Sequence, residues 1–347
     1  MALGPARNYL FGPNGAGKTS LLETIHLLGR GRSFRTRHTK QLARHGAQAF
    51  SVSGTIADSE GTKNRLSLQF SDGSLVPRLD GHRAKSMADL AQKLPVHIIE
   101  PNTHSLIEGP PSRRRGFLDW GVFHVEPAIL QTYRSFNRAL KNINTLFSKG
   151  DSKQVDFWLF ELATLSVEIS SARTDYIERL CKKMEQPFFL KTTNPFSSNK
   201  APSLLFSSGW TKETSCLDQE AIYGFLKKNI TSFTKAKHLN YGPHKATIDF
   251  FLNNQTEHHF SRGEQKSLSI MFWVAQVLIL VETGVVPVVL IDDVSSELDK
   301  QKTNWVLDCL LDLGVQVFLT NIGKKTLITD KKKTNSYKIN SGVIKEL

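Results

Sequence analysis

Cysteine is scarce in this sequence. Three of the 347 residues are cysteine, namely Cys181, Cys216 and Cys309, and no two of them form a C-x-x-C pair. A scattered, odd-numbered set excludes a disulfide framework and gives no pattern for a zinc site. We therefore expect a protein of a reducing compartment, the cytoplasm.

Long hydrophobic segments are missing as well. The longest apolar run, near residues 274–281, is too short to cross a bilayer, and Gln276 lies within it. No signal-peptide pattern opens the chain, and no heptad repeat is long enough for an extended coiled coil. With 39% apolar and 22% charged residues, the composition is typical of a soluble globular protein without a membrane partner.

Acidic residues are in deficit. The chain has 45 lysines and arginines against 32 aspartates and glutamates, a formal net charge of +13. Such an excess favours a polyanion, DNA above all, as partner. The alternative is a merely basic, solvated surface. Two arginine runs, in 29–37 and at 113–115, permit the same two interpretations.

The sequence does contain a complete phosphate-binding motif, G-x-x-x-x-G-K-[ST], at residues 12–19. Residues 8–11 are predicted to form the strand before it, and residues 19–28 the amphipathic helix after it. The glycines let backbone N–H groups face the phosphates; Lys18 would reach the β- and γ-phosphates, and the Thr19 hydroxyl would ligate Mg²⁺. The predicted ATP-binding residues are Gly12, Pro13, Asn14, Gly15, Ala16, Gly17, Lys18, Thr19 and Ser20.

A second stretch, residues 261–299, complements this motif. Residues 261–265 are predicted to be a short polar loop and residues 266–282 a largely buried helix. Residues 288–291 form a continuous aliphatic run, typical of a parallel strand that is covered on both faces. Asp292 and Asp293 follow at the carboxyl end of that strand, where open α/β sheets bind their ligands.

Residues 261–265 resemble the signature loop of ATP-binding-cassette ATPases, except that Arg262 and Glu264 depart from the pattern. The predicted signature residues are Ser261, Arg262, Gly263, Glu264 and Gln265. Residues 295–299 resemble the D-loop of the same class, with Ser296 and Asp299 as its predicted site residues. The loop is a weak motif alone, but its order and spacing with the other motifs are specific.

The resemblance implies a nucleotide site shared between two subunits. In that class the phosphate-binding loop of one subunit and the signature segment of the other enclose ATP, so that ATP stabilises a two-fold dimer. The phosphate-binding loop and Asp292 would then act in one chain, and Ser261 and Gly263 in its partner. Asp292 would hold Mg²⁺, directly or through water, and Asp293 would orient or deprotonate the attacking water.

The remaining patterns predict an α/β protein: a P-loop ATPase lobe, with a mixed sheet and an antiparallel meander, and an inserted, mainly helical second lobe. The predicted division is 1–124 and 238–347 for the ATPase lobe and 125–237 for the insertion. The other predicted elements are a meander at 48–79 with turns at 58–61 and 71–74, a further turn at 80–81, helices at 86–93, 217–228 and 301–313, two helices within 126–183 separated by a turn at 149–151, strands at 94–100 and 315–320, strand-like alternation at 238–251, and a final strand pair that ends near 343.

Five segments together are similar to the RecF family of bacterial recombination mediators. They are GRGRSFRT at 29–36, RRRGFLDWGVFH at 113–124, YGPHKATIDF at 241–250, SRGEQK at 261–266 and IDDVSSELD at 291–299. The resemblance implies an SMC-like ATPase lobe with a compact helical second lobe. It also implies ATP-dependent dimerisation on DNA, weak ATPase activity, and assistance in placing recombinase at gaps with the partners RecO and RecR.

The sequence departs from the family in identifiable places. Only eleven residues precede Gly12, so the family's usual first strand pair and Phe-Arg-Asn segment are absent, and a truncated start is the simplest expectation. His97 occupies the position after the Leu-Pro pair where a glutamine is frequent, so no γ-phosphate sensor is assigned. Asp293, where most cassette ATPases carry glutamate, agrees with the family and with slow turnover.

Three other functions fit part of the pattern. The ATP-binding subunit of a transporter is disfavoured by the 242 residues between Thr19 and Ser261 (261 − 19 = 242) and gives the positive charge no role. A chromosome-organising head of the SMC type requires long heptads. A P-loop kinase leaves the signature loop and the D-loop unused.

Overall fold

The computed structural model describes residues 3–57, 61–99, 105–150, 154–186, 189, 201–252, 255–293, 300–322 and 334–347. It divides into two compact units, one made of Met1–Thr103 with Leu280–Leu347 and the other of His104–Ile279. The second unit includes all of the predicted insertion, 125–237, and extends beyond it at both ends. Residues on either side of the insertion bond to each other, as when Arg114 Nη1 donates to Ile248 O at 2.6 Å.

The helices and strands of the described chain include a run of four strands, then a run of four helices. In order they are β1 (Arg7–Phe11), α1 (Lys18–Arg30), β2 (Phe50–Ala57), β3 (Lys63–Ser71), β4 (Ser74–Leu79), β5 (His82–Arg83), α2 (Met87–Lys93), β6 (Val96–Ile99), α3 (Ser105–Glu108), α4 (Pro111–Val125), α5 (Ile129–Lys149), α6 (Val155–Met184), β7 (Ser203–Ser207), α7 (Gln219–Lys228), α8 (Ile230–Ala236), β8 (Thr247–Leu252), β9 (Gln255–Thr256), α9 (Arg262–Glu282), β10 (Val288–Ile291), α10 (Lys300–Asp312), β11 (Gln316–Asn321), β12 (Thr334–Asn340) and β13 (Val343–Glu346).

The main sheet of the first unit is mixed, as predicted. Its strand order is β13-β12-β1-β11-β10-β6. Only the β12–β13 pair is antiparallel; the others are parallel. Because β1, β10 and β11 are parallel neighbours, their carboxyl ends lie at one edge of the sheet, and the residues that follow β1 and β10 are brought together there.

The predicted meander is the second sheet of this unit, with strand order β2-β3-β4-β5. Alternate side chains point inward, and Phe50 stacks on its cross-strand partner Phe70 with ring centroids 5.3 Å apart. Its tight turns use Asp-Gly pairs with positive φ at both residues, Asp72–Gly73 and Asp80–Gly81, the conformation that joins two antiparallel strands with the correct twist. The inward face contributes Leu66 and Leu68 to the core around α1.

The second unit is mainly helical, as predicted, and its core lies between α5, α6, α7 and α8. Helix α5 ends where Gly150 adopts φ +70°, and its N–H bonds back to Leu146 O and Phe147 O, a helix end that only glycine adopts without strain. A small sheet with strand order β7-β8-β9 completes this unit.

Three predicted boundaries were wrong. Helix α9 begins at Arg262, not at 266, because the signature segment forms its first turn. Of the predicted strand-like segment 238–251, only the last part is a strand, in β8 (247–252), since residues 243–245 form a 3-10 turn. Strand β13 begins at 343 instead of ending there, because Ser341 and Gly342, both with positive φ, make the hairpin turn before it.

The arginine run at 113–115 lies in helix α4, and two of its members are bonded within the second unit. Arg114 is 7% exposed and donates to Glu257 Oε1 at 2.8 Å. Arg115 donates to Ala246 O at 2.8 Å, and Arg173 of α6 donates to Pro243 O at 2.7 Å. These arginines fix the backbone of the segment 243–248 through its carbonyl oxygens. The phosphate-contact interpretation of the run is therefore not supported for Arg114.

Replacing Arg114 by methionine should destabilise the second unit by about 3–5 kcal/mol, because it leaves the buried Glu257 carboxylate without its cation. Urea unfolding followed by tryptophan fluorescence measures this change. The exposed Arg134→Met is the matched control and should change stability by less than about 0.5 kcal/mol. Equal effects of the two substitutions would contradict a structural role for Arg114.

Helix α9 passes the length and composition test for a membrane span among the described residues, with a mean hydropathy of 1.3 over its most apolar window. Within the protein, 67% of that window is buried. Core helices of soluble proteins pass the same test, because burial in protein and burial in lipid select the same side chains. The short run near 274–281 is thus one part of a longer buried helix.

Candidate nucleotide site

The predicted phosphate-binding loop connects β1 to α1 in the first unit. Gly15 and Gly17 have φ of +76° and +103°, values that side chains with a Cβ rarely adopt. A Cβ at Gly12 would lie 2.1 Å from Ile339 O of β12, so this position also requires glycine. The loop leads directly into α1, whose first N–H groups have no acceptor within the helix and form an anion site.

Two contacts hold the loop in place. Lys18 Nζ donates to Gly12 O at 2.8 Å and to Pro13 O at 2.9 Å, which keeps its ammonium against the loop backbone. From the other side, the turn of the β12–β13 hairpin supports the loop, since Gly342 N donates to Ala16 O at 2.9 Å. The C-terminal hairpin is therefore part of the support of this site, and no sequence motif indicated it.

Asp292 lies beside the loop, as the order of strands requires. The residue is 7% exposed, and its Oδ1 accepts hydrogen bonds from Thr19 Oγ1 at 3.1 Å and from Thr320 Oγ1 at 2.7 Å. Thr320 was missed by the sequence reasoning. Its only signal was its place at the end of the predicted strand 315–320, next to the strand that ends at Asp292.

Asp293 has an unusual backbone. Its φ is +49°, a left-handed conformation in which aspartate and asparagine are tolerated better than most residues. Its N–H donates to Thr320 Oγ1 at 2.8 Å, so one threonine hydroxyl links the two aspartates. Thr320 thus positions the carboxylate of Asp292 and the backbone of Asp293 at the strand end.

A cavity of about 340 Å³ joins these parts, with the polar lining expected of a phosphate site. It is lined by Asn14, Gly15, Ala16, Gly17, Lys18, Thr19, Ser20, Arg35, Asp292, Asp293, Thr320, Asn321 and Ile322. The predicted ATP-binding residues 14–20 and both aspartates therefore meet in one place. Its volume is in the range of small-molecule sites.

Arg35 brings the first arginine run to this cavity. Its guanidinium lies 3.4 Å from Glu23 of α1, and its side chain is 55% exposed. The run is tied to α1 a second time by His26, whose Nδ1 lies 2.8 Å from Arg32 O. Burial lowers the pKa of His26 to about 3, so at neutral pH the ring is uncharged and adds nothing to the positive charge of the run.

The residues present suit Mg²⁺. The described residues offer oxygen ligands at this position, among them one carboxylate from Asp292 and one hydroxyl from Thr19, and Mg²⁺ is usually bound by one or two carboxylates together with substrate phosphates and water. No cluster of three or more His, Cys, Asp or Glu residues occurs within the described ranges. The site therefore suits a cation that arrives with its nucleotide better than a permanently bound one.

The signature segment belongs to the second unit and begins α9. Ser261 N donates to Glu264 Oε2 at 2.8 Å, and Glu264 N donates to Ser261 Oγ at 3.2 Å, which is a reciprocal capping box. These bonds from Ser261 hold the pKa of Glu264 below its ordinary value. Gln265 is buried at 7% exposure, so the exposed surface of the segment is made by residues 261–264.

Two remaining points of the sequence analysis concern the D-loop and His97. The D-loop residues Ser296 and Asp299 lie outside the described residues. His97 is 3% exposed on β6, the edge strand of the main sheet, and pairs in register with Val289 of β10, so it is a buried residue of that strand.

Comparisons with known proteins identify the family. A family model described as the RecF/RecN/SMC N terminal domain matches residues 1–345. The chain is 35% identical to the DNA replication and repair protein RecF of Vibrio vulnificus strain YJ016, over 100% of this chain and 95% of that protein. It is also 35% identical to the protein of the same name from Thioalkalivibrio sulfidiphilus strain HL-EbGR7, over 91% and 86%.

Solved structures of known proteins also match this chain. The recombination mediator protein RecF-ATP of the RecFOR pathway matches with a TM-score of 0.87 and 26% identity, covering 100% of this chain and 92% of that one. An Smc head bound to the C-winged helix domain of ScpA matches with a TM-score of 0.56 at 13% identity, which shows a shared fold alone. The resemblance in the sequence is confirmed, and the chain belongs to the RecF family of DNA replication and repair proteins.

Proposed function

We propose that this chain is an ATP-dependent DNA-binding switch that acts in recombinational repair and replication. The observation that carries the proposal is the single cavity in which the phosphate-binding loop, Thr19, Asp292 and Asp293 meet. Relatives named as DNA replication and repair proteins support the process, and a related structure with ATP supports the nucleotide.

A second copy of the chain completes the site. The phosphate-binding loop of one copy binds the phosphates from one side, and the exposed N-terminus of α9 from its partner covers the γ-phosphate with Ser261 and Gly263. The support is the exposure of residues 261–264 at a helix N-terminus, where phosphate is favoured. Bound ATP therefore stabilises the dimer, and the dimer holds DNA.

Hydrolysis then releases the dimer slowly. Lys18 and the loop N–H groups bind the β- and γ-phosphates, Thr19 and Asp292 hold Mg²⁺, and Asp293 orients or deprotonates the attacking water. Mg²⁺, when bound, offsets the negative charge of the phosphate oxygens. The D-loop, with Ser296 and Asp299, completes the shared site in this proposal.

The proposed partners follow from the same process. We assign gapped duplex, with its junction of single-stranded and double-stranded DNA, as the DNA partner. RecR and RecO are the protein partners, because a related structure belongs to the RecFOR pathway. The proposed compartment is the cytoplasm, where recombinase would be loaded.

Asp293→Asn should reduce ATP hydrolysis at least a hundredfold and leave ATP affinity within about threefold, because a general base contributes roughly 10²–10⁴ in rate. Asparagine keeps the left-handed backbone, so the strand end should be unchanged. Single-turnover hydrolysis with duplex DNA measures the rate, and the exposed Asp175→Asn is the matched control. A variant that hydrolyses ATP at the original rate would remove Asp293 from the chemistry.

A further inference from the structure

The antiparallel sheet β2–β5 has an exposed face with an unusual composition. Strand register places thirteen side chains on this face, which we call the outer face: Ser51, Ser53, Thr55, Ala57, Lys63, Arg65, Ser67, Gln69, Ser71, Ser74, Val76, Arg78 and Arg83. The opposite face carries the apolar partners that pack on the core around α1, such as Phe50, Leu68 and Leu79. Exposure follows the same alternation.

All charge at the strand positions of the outer face is positive. Lys63, Arg65, Arg78 and Arg83 are exposed, and no aspartate or glutamate occupies any of the thirteen positions. One exposed carboxylate, Asp80, lies in the turn after β4, where its Oδ1 accepts a hydrogen bond from Arg65 N at 2.7 Å. Within the described part of the chain, none of these four cations forms an ion pair. Ordinary solvated surfaces intersperse both signs, so a one-sign face is suited to an anionic partner.

The face carries an electrostatic cost in the absence of such a partner. Arg78 and Arg83 lie directly opposite each other on neighbouring strands, and like charges in that position destabilise a sheet. Arg65 lies one register step away, diagonal to Arg78, since Ser67 is the direct partner of Arg78. Three guanidinium groups are thus grouped on three adjacent strands.

We propose that the outer face binds the phosphate backbone of duplex DNA without reading its sequence. Arginine, serine, threonine and glutamine are donors that contact phosphate oxygens, and they make up most of this face. No aromatic ring lies among the thirteen positions, whereas single-strand binding faces stack bases on such rings. This assignment rests on the proposed function, because it places the DNA of that proposal on a particular surface.

A triple substitution tests the outer face: Arg65→Gln, Arg78→Gln and Arg83→Gln together. The matched control removes three exposed lysines elsewhere: Lys212→Gln, Lys228→Gln and Lys345→Gln. Both variants lower the net charge equally, from +13 to +10 (13 − 3 = 10). Fluorescence anisotropy with a short duplex and with oligo-dT, over a series of salt concentrations, gives the affinity and its salt dependence.

The outer-face variant should bind duplex at least about tenfold more weakly at physiological salt. Its slope of log affinity against log salt should fall by roughly 2–3, since each lost phosphate contact removes about 0.9. Oligo-dT affinity should change less. The melting temperature of the outer-face variant should be equal to that of the original chain or slightly higher, because the repulsion between Arg78 and Arg83 is removed. Its ATP-dependent dimerisation should be unchanged.

The results separate this inference from the proposed function. If the original chain binds duplex and the outer-face variant binds it equally well, or if both variants lose affinity equally, the outer face is not the contact surface and the proposed function stands. Equal losses for duplex and oligo-dT would overturn the duplex assignment. If the original chain binds no DNA at all, the proposed function and this inference both fail.

Discussion

Lys18→Ala is expected to weaken ATP binding by about 10- to 150-fold and to abolish every ATP-dependent property of the chain. The ammonium of Lys18 lies against the carbonyls of Gly12 and Pro13, within the cavity that also contains Thr19 and Asp292. A hydrogen bond to a charged group contributes about 1.5–3 kcal/mol, and this free energy corresponds to the expected 10- to 150-fold change in the dissociation constant. Isothermal titration with Mg²⁺ and ATP measures it.

The exposed Lys212→Ala removes the same charge elsewhere and should leave ATP affinity unchanged. The melting temperature of Lys212→Ala should equal that of the original chain. That of Lys18→Ala should be equal or slightly lower, because this lysine contributes two hydrogen bonds to loop carbonyls and no core packing. Unchanged ATP affinity in Lys18→Ala would show that the loop is not the phosphate site.

Ser261→Arg is expected to leave ATP binding by the monomer intact and to prevent ATP-dependent dimerisation. Its new side chain places bulk and charge on the exposed N-terminus of α9, where the proposed partner site must close over the γ-phosphate. Because the capping box between Ser261 and Glu264 is lost, stability should also fall by roughly 1 kcal/mol. ATP titration and sizing by light scattering separate the two properties.

The exposed Ser232→Arg on α8 introduces the same group at a distant position in the sequence and should dimerise like the original chain. A Ser261→Arg protein that still dimerises with ATP would count against the shared site. A Ser261→Arg protein that loses ATP affinity as well would show that Ser261 acts within its own chain.

The first unit was largely predictable because its signals are local. The motif at 12–19 requires a strand before it and a helix after it, and the alternation in 48–79 specifies one buried face per strand. The aliphatic run 288–291 became β10 with the predicted limits. The phosphate-binding motif and the resemblance to cassette ATPases predict that Thr19 and Asp292 act together, and the structure places Thr19 Oγ1 3.1 Å from Asp292 Oδ1.

The missed features depend on partners far away in the sequence. The sequence left Arg114 open to two interpretations, a solvated basic run or a phosphate contact, yet its bonds reach Ile248 and Glu257, more than 130 residues further on. Thr320 has no motif, and only the pairing of β10 with β11 brings it to the aspartates. The start of α9 is a different case, since the pattern Ser-x-x-Glu at 261–264 was visible and predicts a helix that begins at Arg262.

Sedimentation equilibrium of the purified chain with saturating Mg²⁺, ATP and gapped duplex tests the shared site most directly. The account predicts a species that contains two chains when ATP is present and a single chain when ATP is omitted or when Lys18→Ala replaces the original protein. A single chain under all of these conditions would contradict it.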